Sequence, residues 1–179
     1  MTIFLSGGAK NGKSTWAQRF AKQLQGEGPL YYLATMIPHD EEDEQRIRRH
    51  LQERDGWGFT TVECGRNILH SLTAARPEGT FLLDSVTALL SNEMFPAEGG
   101  MDRQAPLRVA QQLKDFCQQV GHAVLVSDYI YSDARRYDPW TETYRRGLAE
   151  IDRTLANCCD AVGEVCAGNL YWHKGGAPR

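Results

Sequence analysis

Short, almost wholly apolar segments alternate along the chain with longer segments in which apolar residues recur every three or four positions. The apolar segments cover residues 2–6, 30–35, 80–83 and 123–127. Such segments are typical of strands covered on both faces, as in a parallel sheet. Helical spacing is seen in residues 14–24, 103–120 and 139–158. The order predicts an α/β fold with a mostly parallel central sheet flanked by helices, and two late strands near residues 162–167 and 170–173.

The length of the chain indicates a single domain. The sequence has 179 residues, which is within the usual size of one folded unit. We assign residues 1–174 to this domain and expect residues 175–179 to form a flexible tail. Loops are expected at residues 95–101 and 128–138, where both periodic patterns stop.

The charge balance argues against binding of nucleic acid or of an anionic membrane. Lys and Arg number 20 against 23 Asp and Glu, so the formal net charge is -3, and no overall positive field attracts a polyanion. No apolar segment reaches the about 18 residues that a membrane-spanning helix needs, because Asp84 interrupts the longest one. A secretory leader is not apparent. We therefore expect a cytoplasmic protein.

A glycine-rich segment lies directly after the first predicted strand and before the first predicted helix. It fits the pattern G-x-x-x-x-G-K-[ST] at every position, with the residues Gly7, Gly8, Ala9, Lys10, Asn11, Gly12, Lys13 and Ser14. In this context backbone N–H groups and the helix N-terminus can surround phosphate oxygens. Lys13 can reach the β- and γ-phosphates, and the Ser14 hydroxyl can bind Mg²⁺. The segment predicts a nucleotide-binding protein of the P-loop NTPase type.

A P-loop enzyme also needs an acidic residue at the end of a neighbouring strand, where it helps to hold Mg²⁺. Two residues meet this description: Asp84 follows the apolar residues 80–83, and Asp128 follows residues 123–127. Either residue can instead cap a helix or close a turn. Spacing along the chain does not separate them, and both are candidates at this point.

Residues 40–54 form a charged segment that runs from acidic to basic. This order complements a helix dipole, and Glu44 and Arg48 have the favourable spacing of four residues, so we expect a helix. Within it, His50 has three arginines nearby: Arg46, Arg49 and Arg54. Nearby positive charge disfavours the protonated imidazole. A neutral imidazole here can attack a nucleotide α-phosphate while the arginines screen the phosphate charge. The alternative is an ordinary solvated histidine.

Five segments, in this order, resemble the bifunctional adenosylcobinamide kinase/adenosylcobinamide-phosphate guanylyltransferases of cobalamin biosynthesis. They are GGAKNGKS (residues 7–14), LYYLAT (30–35), RIRRH (46–50), TVE (61–63) and LLDSVTALLSN (82–92). The likeness covers nearly the whole chain. The combination of GGA-x-x-GKS with a downstream R-I-x-x-H is much more specific than a P-loop alone.

The resemblance implies both the chemistry and the residues that perform it. The expected reactions are phosphorylation of adenosylcobinamide, with ATP or GTP and Mg²⁺, and transfer of GMP from GTP to the phosphorylated product. The histidine that matches His50 becomes guanylylated in this family. The resemblance also favours Asp84 over Asp128 for the metal and adds Thr35 and Glu63 to the nucleotide contacts. Members are typically trimers, so a homotrimer is expected.

The last third of the chain departs from the family's pattern. Residues 127–138 differ from the N-E-V-G-x-G-I-V-P-like segment of many members, and Asp152 and Arg153 stand where the family has Asn-Gln. The departure concerns the way in which the acceptor is held. One alternative is therefore a P-loop kinase of a small alcohol that lacks guanylyl transfer. The other is a nucleotide-binding regulatory module without catalysis.

Overall fold

The computed structural model describes residues 1–38, 40–131 and 133–178. For Glu42, Arg46, His50 and Glu53 it describes the backbone alone. The described elements are, in chain order, β1 (Thr2–Gly7), α1 (Lys13–Leu24), β2 (Leu30–Ala34), α2 (Glu41–Glu53), β3 (Thr60–Glu63), β4 (Thr80–Asp84), α3 (Val86–Met94), α4 (Ala105–Gln119), β5 (His122–Asp128), α5 (Pro139–Cys158), β6 (Ala161–Cys166) and β7 (Asn169–Lys174). A 3-10 segment, Ile68–Thr73, lies between β3 and β4.

The described strands form one sheet in the order β3-β2-β4-β5-β1-β6-β7. Neighbouring strands are parallel except β6 and β7, which pair antiparallel. The predicted mostly parallel sheet is therefore confirmed, with both late strands. Because parallel strands end at the same edge, Gly7 lies opposite Asp128, and Ala34 lies opposite Asp84. This edge brings the glycine-rich segment next to both acidic candidates.

Apolar layers cover both faces of the sheet. On one face, α3, α4 and α5 pack over a cluster that contains Phe81, Phe116 and Leu148. On the other face, Phe20 of α1 packs with Leu82 and its neighbours. Alternate residues of the central strands enter the two clusters, so these strands have few polar positions. This burial explains why they appear in the sequence as continuous apolar segments.

Helix boundaries follow the predicted ones closely where a capping residue is present. Helix α5 has the predicted bounds, and Asp138 caps it by accepting from the N–H groups of Trp140 and Thr141. Helix α2 begins after Asp40, whose side chain accepts from the N–H of Asp43 at 2.9 Å.

Two elements have no periodic signal in the sequence. Strand β3 is a mostly exposed edge strand without an apolar segment, and α3 has 9 residues and follows β4 almost directly. Periodicity alone therefore does not predict β3 or α3. No described helix has the length and apolarity needed to cross a membrane.

The described end of the chain packs against the first helix. Residues 175–178, for which the sequence predicts a flexible tail, follow β7 directly, and Pro178 is buried. Gln23 of α1 donates from Nε2 to the Pro178 carbonyl at 2.7 Å. This contact joins two segments that are far apart in the sequence, so local composition does not predict it.

Candidate active site

The turn between β1 and α1 brings backbone N–H groups together at the edge of the sheet. Gly7 lies so close to β6 that a Cβ atom would be 2.4 Å from the carbonyl oxygen of Val165. Gly12 directly precedes α1 with a φ of 86°, a left-handed conformation that glycine adopts without strain. In this fully described segment no side chain caps the first turn of α1. Its N–H groups can therefore bind phosphate oxygens.

Lys13 lies beneath this turn. Its side chain is buried, and Nζ donates to the Gly8 carbonyl at 2.7 Å and to Asp128 Oδ1 at 2.5 Å. The Asp128 side chain is 31% exposed, so part of the ion pair faces solvent. Lys13 is thus positioned next to the loop that would surround a phosphate group.

A cleft of about 750 Å³ opens between the turn, the sheet edge and α2. Its volume is within the range of small-molecule binding sites. The predicted site residues that line it are Ala9, Lys10, Asn11, Gly12, Lys13, Ser14, Arg54, Glu63 and Asp84. Asp128 lines it as well. The fold therefore brings residues that are far apart in the sequence to one cleft.

Helix α2 forms one wall of the cleft. The helix residues that line this wall are Ile47, Arg49 and Leu51, and Arg54, which directly follows the helix, lines it as well. The backbone of His50 belongs to the same helix, whereas its side chain, like that of Arg46, lies outside the described residues. The predicted pair of Glu44 and Arg48 is present, with 3.3 Å between Oε2 and Nη1. The structure thus shows that the helix bearing the predicted nucleophile borders the cleft.

Arg54 and Tyr32 form a stacked pair in the cleft wall. The Arg54 guanidinium is buried and lies 3.3 Å from the centre of the Tyr32 ring. Burial raises the pKa of the Tyr32 phenol, and the Asp84 carboxylate raises it further, while Arg54 acts in the opposite direction. The phenol therefore stays neutral beneath a cation, which stabilises the stack. Tyr32 is not among the predicted site residues, because in the sequence it is one apolar strand residue among several.

Thr35 supports the site from behind the cleft. It is fully buried, and its hydroxyl donates to the Ser85 carbonyl at 2.9 Å and accepts from the Ser85 N–H at 2.8 Å. The peptide bond between Asp84 and Ser85 is cis. The two hydrogen bonds fix the backbone directly after Asp84. Thr35 therefore lies one layer behind the residues that line the cleft.

Ser14 and Asp84 have the donor atoms that Mg²⁺ prefers. Both line the cleft, and one supplies a hydroxyl and the other a carboxylate. Mg²⁺ usually takes one or two protein ligands and completes its shell with water and phosphate oxygens. The residues present therefore fit the ion. The family resemblance favours Asp84 as the carboxylate for the metal, and the structure shows Asp128, at the same cleft, paired with Lys13.

A buried polar cluster lies behind Asp128, towards α5. The Tyr131 hydroxyl donates to Asp152 Oδ2 at 2.9 Å. Burial raises the pKa of the Asp152 carboxyl to about 6, the negative charge of Asp128 adds to the rise, and the hydrogen bond from Tyr131 opposes it. In the sequence, Asp152 appears only as a departure from the family pattern. The packing of α5 on the sheet places Asp152 behind β5.

Arg145 of α5 holds the predicted loop at residues 128–138. Its side chain is buried and donates to the Ile130 carbonyl at 2.8 Å, to Asp133 at 2.5 Å and to Glu142 at 2.8 Å. The guanidinium also lies 4.7 Å from the centre of the Tyr137 ring. A second cleft, of about 730 Å³, opens between this loop and α5. The segment that departs from the family pattern is thus anchored at several points.

A glycine-rich turn at the carboxyl edge of a parallel sheet, with a buried lysine and acidic residues on one cleft, defines a P-loop nucleotide-binding protein. Solved structures share this fold. The ATPase domain of another protein matches 99% of this chain and 78% of its own at a TM-score of 0.57 and 11% identity. A KaiC-like protein from Pyrococcus horikoshii OT3 matches 97% of this chain and 79% of its own, with a TM-score of 0.52 and 14% sequence identity. At these identities the likeness shows the fold alone.

The sequence of the chain shows its family. The model of the cobinamide kinase / cobinamide phosphate guanyltransferase family (CobU) matches residues 3–171. The chain belongs to this family, and the resemblance carried by the five segments is confirmed. Membership places the chain among the enzymes of cobalamin biosynthesis. The comparison with curated proteins gives no match.

Proposed function

We propose that this chain phosphorylates adenosylcobinamide and then transfers GMP from GTP to adenosylcobinamide phosphate, giving adenosyl-GDP-cobinamide. One observation carries the proposal: the P-loop and the helix that bears His50 border the same cleft. A turn that binds phosphates and a helix with a nucleophile are the two parts that the two transfers require. Family membership supports the pairing of a kinase with a guanyltransferase.

In the kinase step the chain acts mainly by positioning and by stabilising charge. The N–H groups of residues 8–14 and Lys13 Nζ bind the terminal phosphates of ATP or GTP. Ser14 and Asp84 would hold Mg²⁺, which when bound neutralises charge on the β- and γ-phosphates. The acceptor hydroxyl gives up its proton to a base as its oxygen forms the new bond to the γ-phosphorus, and the nucleoside diphosphate leaves with the electrons of the broken P–O bond.

In the second step the imidazole of His50 attacks the α-phosphorus of GTP, and pyrophosphate leaves. Arg49 and Arg54 lie on the same wall of the cleft and balance the negative charge of the α-phosphate. A phosphate oxygen of the phosphorylated acceptor then displaces the imidazole from phosphorus, which restores the free histidine. Glu63 faces the cleft from the end of β3 and is a proposed nucleotide contact.

The histidine intermediate can be tested with GTP labelled at the α-phosphate. After incubation with Mg²⁺, the protein should carry label that is lost in acid and kept in alkali, and peptide mapping should place it on His50. His50→Ala should carry no label. His70→Ala should be labelled like the unchanged protein, because this ring contacts Asn67 and does not line the cleft. Label that persists in His50→Ala would remove His50 from the proposal.

A substrate panel tests which of the two transfers the chain performs. The kinase-only alternative is favoured by one observation, the departure of residues 127–138 from the family pattern. Phosphorylation of adenosylcobinamide without GMP transfer would establish that alternative. Absence of transfer from ATP and GTP to any alcohol would leave a nucleotide-binding regulatory module. Lys13→Ala should lower phosphoryl transfer about 10²–10³-fold, because a preorganised charge at the phosphates is lost.

The proposed assembly is a homotrimer, and the proposed compartment is the cytoplasm. The resemblance to a family whose members are typically trimers supports the first, and membership in a family of biosynthetic enzymes supports the second. Light scattering of the purified protein would give its mass in solution. A monomer at working concentrations would contradict the trimer.

A further inference from the structure

We propose that Asp128 accepts the proton of the acceptor hydroxyl in the phosphoryl-transfer step. This role rests on the proposed kinase activity. It falls to the one cleft carboxylate that, among the described residues, is joined directly to the P-loop lysine. Three features support it: the position of β5, the contacts that hold Asp128, and the groups that face it.

The strand order puts Asp128 between the P-loop and Asp84, the carboxylate proposed for Mg²⁺. Strand β5 lies between β1, which leads into the P-loop, and β4, which ends at Asp84. Asp128 is the last residue of β5 and pairs with Gly7 across the strands. Its carboxylate therefore lies at the floor of the cleft, beside the site proposed for the terminal phosphates.

Backbone and helix contacts hold Asp128 in a defined position. Its N–H donates to Thr87 Oγ1 at 2.9 Å. The Thr87 carbonyl in turn accepts from the Tyr144 hydroxyl at 2.8 Å. The Asp128 side chain is nevertheless 31% exposed and lines the cleft. A carboxylate on a fixed backbone, with one open side, is suited to meet a hydroxyl group that enters from the cleft.

Lys13 connects this carboxylate to the phosphate that is transferred. An ammonium group has three donors, and Nζ already contacts Asp128 at 2.5 Å and the Gly8 carbonyl at 2.7 Å. When the remaining donor takes an oxygen of the γ-phosphate, Lys13 bridges that phosphate and Asp128. The carboxylate is then separated from the reacting group by a single ammonium group. Proton acceptors of small-molecule and protein kinases need this kind of proximity.

The other acidic groups around the cleft are less suited to this role. Asp84 is assigned to the metal, and Glu63 lies on β3 at the far edge of the sheet. Behind Asp128, Asp152 is buried and bonded to Tyr131, and Tyr144 has a pKa raised by burial and then by the Asp128 charge. Among the described residues, Lys13 is the only cation paired with Asp128.

The proposed step is balanced without a further reactant. The acceptor oxygen forms a bond to the γ-phosphorus as its O–H bond breaks. The proton passes to a carboxylate oxygen of Asp128, and the β–γ bridging bond breaks with its electrons on the nucleoside diphosphate. Asp128 then releases the proton to water before the next turnover.

The test compares Asp128→Asn, Asp128→Glu and a control variant in phosphoryl transfer to adenosylcobinamide. Asparagine keeps the backbone contact with Thr87 but cannot take a proton, so kcat should fall about 10²–10⁴-fold. The KM for nucleotide should change little. Asp128→Glu should recover part of the activity. Asp115→Asn, which removes a carboxylate from α4 that contacts only Gln111 in the described hydrogen bonds, should behave as the unchanged protein.

Guanylylation of the protein by GTP provides an internal measurement, because it needs the nucleotide but no acceptor proton. Asp128→Asn should keep this labelling, which would also show that the variant is folded. Three results would overturn the inference: unchanged kcat in Asp128→Asn, recovery of its kcat at high Mg²⁺, or tighter nucleotide binding as the only effect. If the unchanged protein itself transfers no phosphate, the proposed kinase function fails, and the role of Asp128 fails with it.

Discussion

Gly7→Ala is expected to destabilise the protein through one backbone contact. A Cβ atom at Gly7 would lie 2.4 Å from the carbonyl oxygen of Val165, and 3.2 Å from Lys13 Cδ. Strands β1 and β6 would have to separate by about 0.6 Å to relieve the clash between this Cβ atom and the Val165 oxygen. Overpacking of this kind typically lowers the free energy of unfolding by about 1–3 kcal/mol. Because the obstacle is a backbone atom within a strand pair, we expect about 2–3 kcal/mol.

Equilibrium unfolding in urea measures this loss without any nucleotide. The matched control is Gly8→Ala, because a Cβ atom there would meet Asn11 Nδ2 at 2.8 Å, the end of a side chain that can turn away. The control should cost less than about 1 kcal/mol. A Gly7→Ala protein as stable as the control would show that β1 and β6 adjust freely, and the reasoning from this close approach would be wrong.

Three further changes test other parts of the structure. Thr35→Val removes both hydrogen bonds to Ser85 and should lower the free energy of unfolding in urea by about 2 kcal/mol. Thr35→Ser keeps the hydroxyl and should lower it clearly less, so equal losses in the two variants would contradict the role of the hydroxyl. Asp152 has a pKa of about 6 in the folded protein against an ordinary 3.8, so the free energy of unfolding of the unchanged protein should fall as the pH rises between these values. Asp152→Asn lacks this loss and should gain about 2–3 kcal/mol relative to the unchanged protein from about pH 4 to 7. Parallel curves of unfolding free energy against pH for the two proteins would refute this. Arg145→Met should expose residues 133–138 to proteases and lower the free energy of unfolding by about 2–3 kcal/mol. Arg146→Met, at an exposed position of the same helix, should do neither. Identical protease digestion patterns of the two variants would count against the anchoring role of Arg145.

The fold could be predicted where burial or capping leaves a local signal. The central strands are apolar throughout because both faces are covered, and Asp40 and Asp138 mark the starts of α2 and α5. The edge strand β3 gives no such signal, because its residues are largely exposed. The packing of Pro178 on Gln23 joins the two ends of the chain, which no local pattern records.

The candidate site also contains some residues that the local sequence predicts and others that it does not. The glycine-rich segment is predictable because its geometry depends on consecutive residues. That Asp84 and Asp128 line one cleft, and that Asp128 pairs with Lys13, follows from the order of strands in the sheet, which the sequence contains only implicitly. Thr35 is a residue of the resembling segment, yet its hydroxyl is used by Ser85. Chain proximity alone does not distinguish a residue that lines a cleft from one that supports its wall.

The central claim is that residues 7–14 surround the phosphates of a nucleotide at the cleft that α2 borders. A crystal structure of the protein with Mg²⁺ and a non-hydrolysable GTP analogue tests it most directly. We expect the terminal phosphates against the N–H groups of this turn, with Lys13 Nζ on the γ-phosphate. A nucleotide bound elsewhere, or a turn whose N–H groups point away from the phosphates, would contradict the claim.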